Sequence, residues 1–230
     1  MGRGGADGDR DGLPGDGRTA WAALEAPWRA AFEQAWASYA AGSLGIGAVL
    51  TDPTGAVVAT GRNRLLETEA PPGQVAGSTV AHAEVNALAS VPVGRGRHLA
   101  IWSTLEPCLQ CSGAIVMAAV PVVRFAGGDP LCDGLAGIAG CTPFVADRWP
   151  ALHGPRPDRF GTLGALLPLA RFVTLDRGDV VVTAYTARHP DLADLAGALA
   201  ASGELDRLVA GGATTADVVA ALWDRLPVLA

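Results

Sequence analysis

His82-Ala83-Glu84, answered downstream by Pro107-Cys108-Leu109-Gln110-Cys111, decides how this chain is read. One imidazole and two thiolates form a soft ligand set that suits zinc. Three protein ligands leave the fourth tetrahedral position open to water, as in a catalytic site. Cys108 and Cys111 are three apart, which puts both sulfurs on one face of a helix start. A helix N-terminus also favours thiolates through its positive end and free N–H groups. Pro107 suits the approach to such a helix, where its missing N–H loses nothing. Glu84, two residues from the histidine, stands where it can move protons. A closed four-ligand zinc site is the structural alternative. Cys132 and Cys141 are fourth ligands only in principle and are expected to be free thiols.

Around these motifs the chain alternates helix and strand. Trp21, Leu24, Trp28, Phe32, Trp36 and Tyr39 recur at three- and four-residue steps, predicting an amphipathic helix over 19–41, capped by Thr19 and kinked or divided at Pro27. Its aromatic stripe is expected to be core packing. Strands at 45–50 and 56–60, joined by the turn Asp52-Pro53-Thr54-Gly55, make a hairpin. A loop at 67–78, a helix at 79–90, a strand at 98–103, a helix at 109–119 and a strand at 122–126 follow. Past Gly127 the periodicity weakens. The expectations there are a helix at 163–175, a strand at 180–185, and helices at 190–201, 203–209 and 215–226, the last capped by Thr215. Hairpin, helix, strand, helix, strand fits an α/β fold, a three-layer α/β/α sandwich, with a mostly helical C-terminal extension. Parallel strands would bring the two motif helix starts together at one sheet end, where open α/β sheets bind ligands.

Composition narrows the partners. The chain of 230 residues holds 17 Lys+Arg, all arginine, against 23 Asp+Glu, for a net charge of −6. That balance disfavours a broad nucleic-acid surface. Two of the four cysteines sit in the ligand motif and no secretion signal precedes them, so a reducing cytoplasm is expected. No long uninterrupted apolar run predicts a membrane span. Residues 1–18, rich in Gly, Asp and Arg, read as a disordered tail; 19–149 read as the metal-binding domain and 150–230 as the extension.

The H-x-E…P-C-x-x-C pattern resembles the zinc deaminases of the cytidine/deoxycytidylate type. Thr104-Leu105-Glu106-Pro107-Cys108 and Gly61-Arg62-Asn63-Arg64 are similar to the branch that holds tRNA adenosine, guanine and cytosine deaminases. The resemblance covers about residues 20–130. It implies a cytidine-deaminase-type fold and one zinc per chain, held by His82, Cys108 and Cys111. It implies Glu84 as the catalytic proton shuttle, which takes a proton from the attacking water, gives it to a ring nitrogen and then protonates the departing ammonia. It also implies substrate contacts from Asn63 and from the Ala83 backbone, and a homodimer whose neighbour helps close each pocket.

Several segments depart from the tRNA enzymes. Ser78-Thr79-Val80-Ala81 replaces their usual D-P-T-A before the histidine. The stretch after the second motif helix holds one charge, Arg124, where theirs is basic. A small nucleobase, nucleoside or nucleotide is therefore the expected substrate. A tRNA wobble-adenosine deaminase and a non-catalytic zinc scaffold remain the alternatives. Arg148, Arg156 and Arg159, with His153, form the tail's local basic group, a candidate phosphate holder. His98 and Trp102 are expected to be structural.

Overall fold

The computed structural model describes residues 15–175 and 179–229. Most of the tail expected at 1–18 lies outside the described residues. From Asp16 the chain is ordered into a helix. The aromatic stripe forms two helices, α1 (Gly17–Ala23) and α2 (Ala26–Ala40). The division falls at Pro27, which sits in the first turn of α2, where no N–H is needed. Asp16, not Thr19, caps α1: its carboxylate accepts from the Thr19 N–H at 2.9 Å and from the Thr19 hydroxyl at 2.7 Å. Aspartate reaches the free N–H groups of a first turn from one residue outside it, whereas Thr19 already lies within the helix.

β1 (Gly47–Thr51) and β2 (Val57–Arg62) form the expected hairpin. They are followed by α3 (Ala83–Leu88), β3 (Ala100–Leu105), α4 (Leu109–Ala118), β4 (Val122–Gly127), the short α5 (Pro143–Ala146) and β5 (Ala151–His153). The sheet order is β2-β1-β3-β4-β5. β1 is antiparallel to both neighbours, while β3, β4 and β5 run parallel. α2 packs on one face together with α6 (Arg159–Val173), and α3 and α4 lie side by side on the other. This is the three-layer α/β/α sandwich. Beyond α6 lie α7 (Asp179–Arg188), α8 (Pro190–Ser202), α9 (Glu204–Ala210) and α10 (Thr215–Leu222). One continuous apolar core runs from Trp28 and Phe32 through the sheet to Leu192, Val218 and Trp223.

Two glycines set how closely the layers approach. A Cβ on Gly61 would lie 2.3 Å from both the Ala83 carbonyl oxygen and the Ala87 nitrogen, so α3 rests directly on β2. A Cβ on Gly164 would lie 2.0 Å from the Thr104 carbonyl oxygen, so α6 rests equally closely on the C-terminal end of β3. Both contacts are backbone against backbone, and no side chain fits between them.

The structure corrects four further local expectations. The helix expected at 79–90 is confined to α3, because residues 78–82 turn instead, with Ala81 and His82 N–H groups bonded to Ser78 and Val80 carbonyls. His98 ends a short 3₁₀ turn ahead of β3 rather than lying in the strand. Thr214, not Thr215, caps α10 in a reciprocal capping box with Asp217. The expected strand 180–185 is instead part of α7. Its β-branched run Val180-Val181-Val182-Thr183 favours a strand locally, but packing against α6 and α8 prevails. Helical spacing puts Val181 and Tyr185 on one face. Residue 150 falls one position before β5, which pairs with β4, so the sheet continues past that point.

Candidate metal centre and active site

His82 is the residue that caps α3, and Cys108 caps α4. β2 and β3 run in the same direction, and both helix starts lie at the same end of the sheet. Cys111 sits in the first turn of α4, where the Ser112 N–H bonds to the Cys108 carbonyl at 2.8 Å. The His82 Nδ1 lies 3.5 Å from the Cys108 Sγ and 3.4 Å from the Cys111 Sγ, and the two sulfurs are 3.7 Å apart. A tetrahedral ion with Zn–S near 2.3 Å and Zn–N near 2.0–2.1 Å needs S···S of about 3.8 Å and S···N of about 3.6 Å. The triad therefore fits one zinc ion per chain, and no other group of three such ligands occurs among the described residues. The hydrogen bond between the two sulfurs is the main reason Cys108 is drawn far below an ordinary thiol, and the same bond with burial pushes Cys111 up.

Glu84 is only 3% exposed. Its Oε1 accepts from the Ser103 hydroxyl at 3.0 Å, and its Oε2 lies 3.2 Å from the Cys111 Sγ. Burial raises its pKa, with the nearby His82 pulling the other way. A carboxyl held neutral more readily than usual, beside a metal triad, can both accept and return a proton. Ser103 escaped notice in the sequence: it sits in the apolar strand Ile101-Trp102-Ser103-Thr104-Leu105 with nothing to mark it.

Asn63 follows β2 and is fully buried. Its Oδ1 accepts from the Ser43 hydroxyl at 2.8 Å and the Leu65 N–H at 3.1 Å, which fixes the amide plane. Its Nδ2 has no partner. The loop from Asn63 to His82 is held by Arg62 and Arg64, both paired with Glu67. Asn86, also unmarked in the sequence, ties that loop to α3. It accepts from the Val75 N–H at 2.8 Å and donates to the Arg62 and Val75 carbonyls at 3.0 and 3.1 Å.

One cavity of about 400 Å³ takes in His82, Glu84, Cys108 and Asn63. Glu106, Asp129 and the buried Cys132 also line it, and the Asp129 N–H donates to Glu106 Oε2 at 3.2 Å. Burial raises the pKa of both Glu106 and Asp129. Its far wall comes from α6 and α7, with Leu169, Phe172, Val181 and Tyr185 among the contributors. Ala83 is buried beside the site at the start of α3, while Cys141 is exposed and free. The arginines weighed as a phosphate holder are not brought to this cavity. Arg148 lies over the Phe144 ring at 4.0 Å, Arg156 pairs with Asp158, and Arg159 lies over the Trp223 ring at 5.3 Å. His153 is exposed on β5.

Residues 23–126 match the family described as the cytidine and deoxycytidylate deaminase zinc-binding region. The chain is 30% identical over 108 residues to a tRNA(Ile)-lysidine synthase of Deinococcus radiodurans, a match that takes in 45% of this chain and spans only 17% of that relative. Among solved structures, it is similar to a deaminase of tRNA adenosine at the wobble position (22% identity, 55% of this chain and 95% of the other, TM-score 0.44). It is also similar to guanine deaminases from Bacillus subtilis (24%, 49% and 70%, TM-score 0.38) and Nitrosomonas europaea (17%, 56% and 77%, TM-score 0.41). No described helix is long and apolar enough to cross a membrane. The triad and the adjoining carboxylate fall on the stretch, residues 23–126, that matches the cytidine and deoxycytidylate deaminase zinc-binding region.

Proposed function

We propose that the chain is a hydrolytic deaminase of a small nucleobase-type ring, presented as a base, nucleoside or nucleotide. The observation that carries this is one cavity that joins His82 and Cys108 of the metal triad and buried Glu84 to the unpaired amide N–H of Asn63. A zinc ion bound at the triad supplies Lewis acidity that lowers the pKa of water. The protein then has to hold the ring and carry protons. Asn63 offers Nδ2 to an acceptor on the ring edge, relieving a buried donor that is otherwise costly. By the family resemblance, the backbone of Ala83, next to His82, contributes a second contact. Glu84 takes the proton released as water adds to the carbon bearing the amino group, and passes it to the ring nitrogen. It then takes the proton of the newly added hydroxyl and delivers it to the amino nitrogen: the C–N bond breaks, ammonia departs and the hydroxyl oxygen becomes the carbonyl. Ser103 holds Oε1, which leaves Oε2 as the oxygen that carries the proton.

The outward-facing apolar side chains of Leu109 and Met117 on α4, and of Val80 just before the triad, support the expected second copy covering this edge. The test is ammonia release from a panel of free bases, nucleosides and mononucleotides, beside Glu84→Ala. Turnover with one panel member, reduced at least about 10²-fold in the variant, is the expected result. A zinc-loaded chain that releases no ammonia from any of them would sink the proposal.

A further inference from the structure

The far half of the cavity has a chemistry the near half does not explain. Pro168, Leu169 and Phe172 of α6, Leu175 just after it and Val181 of α7 line it. Among the described residues of that wall Tyr185 is the one hydroxyl, and it donates to the Gly128 carbonyl at 3.1 Å. A sugar placed there would lose its water without gaining partners, which costs more than any apolar contact it made. Glu84, Glu106 and Asp129 are carboxyl groups of the described lining, so a phosphate would have to share a poorly hydrated space with them. The volume of about 400 Å³ lies within the range of pockets that enclose drug-sized molecules, so a bare ring would leave the apolar half unfilled.

We infer that the preferred substrate is a phosphate-free amino-heterocycle with an apolar substituent on the edge away from its amino group. This rests on the deaminase reading of the site. The amino-bearing edge lies toward His82, Glu84 and Asn63, and the substituent fills the wall built by Phe172, Leu175 and Val181. Specificity then resides in α6 and α7, outside the segment that carries the zinc ligands.

The test uses the full zinc-loaded chain and four forms of each ring: the free base, the base alkylated with a butyl or benzyl group at the nitrogen that carries sugar in nucleosides, the ribonucleoside and its 5′-monophosphate. Ammonia release gives kcat/KM, and calorimetric titration of the Glu84→Ala chain gives binding without turnover. Each buried methylene is expected to tighten binding about fourfold. The alkylated base should therefore exceed the free base by at least about tenfold, and the monophosphate should be the poorest of the four. Phe172→Ala should shrink the alkylated-to-free ratio several-fold. Because that ratio is read within one preparation, it does not depend on how much of the variant folds. An alkylated base no better than the free base, or a preferred monophosphate, overturns the inference while leaving the deaminase reading standing. Tighter binding of the alkylated base with no ammonia from any compound overturns the deaminase reading and keeps the apolar-substituent assignment.

Discussion

Ser103 fixes one oxygen of Glu84 from the neighbouring strand, and its removal tests how much that fixing matters. A hydrogen bond to a charged group contributes about 1.5–3 kcal/mol. Ser103→Ala should therefore lower kcat by roughly ten- to a hundredfold while zinc content, by elemental analysis, stays at one per chain. Ser103→Thr, which keeps the hydroxyl, should restore much of the loss. Equal kcat in wild type and Ser103→Ala would show that Glu84 needs no such support. The contrast between these two residues explains what was legible here. Metal ligation demands particular side chains at fixed short spacings, so His82, Cys108, Cys111 and the adjoining Glu84 stand out in the sequence. Ser103 and Asn86 act through hydrogen bonds made across the fold, 19 residues apart for Ser103 and Glu84, and no spacing announces them.

At the scale of helices and strands, α10 reports its own pH dependence. Asp217 accepts from the Thr214 hydroxyl and N–H at 2.6 and 3.0 Å and pairs with Arg18 of α1 at 2.7 Å. The Thr214 hydrogen bonds, then Arg18, hold its carboxyl down to about 2, below the ordinary 3.8. A depressed value in the folded state means that this group's stabilisation is present above pH near 4 and is lost as pH falls toward 2. Chemical denaturation of wild type and Asp217→Asn across that window should show a stability difference that is constant at neutral pH and closes below about pH 2. A difference that persists at low pH would show that the charge is not the cause. The helices nearest the motifs could be read from periodicity because one face of each is apolar. α7 could not: its β-branched residues fit a strand, and only contact with α6 and α8 makes the helix the better state.

The molecule as a whole has one core, and the C-terminal third is part of it. Phe160 packs on Phe32 with ring centres 5.7 Å apart, and the Trp36 indole N–H donates to the Ala213 carbonyl at 2.7 Å. α6 alone buries Phe160, Leu163, Leu166, Leu167 and Leu169 almost completely. At about 1.5–3 kcal/mol for each such side chain, their loss matches the roughly 5–15 kcal/mol that holds a domain folded. A chain cut after Asp158 should therefore aggregate or bind hydrophobic dyes, with no cooperative thermal transition. A soluble fragment that melts cooperatively would show instead that the remainder is an independent appendage. This continuity was hard to read in advance, because β5 is three residues long with exposed side chains and carries no alternating pattern. The cavity's two halves have a further consequence for how such a protein can change. Its reactive floor is encoded between residues 44 and 111, whereas Phe172, Leu175 and Val181 come from a stretch of gene well downstream. Mutation or recombination confined to that downstream stretch can alter which molecules are admitted while the codons for the chemical step are inherited intact.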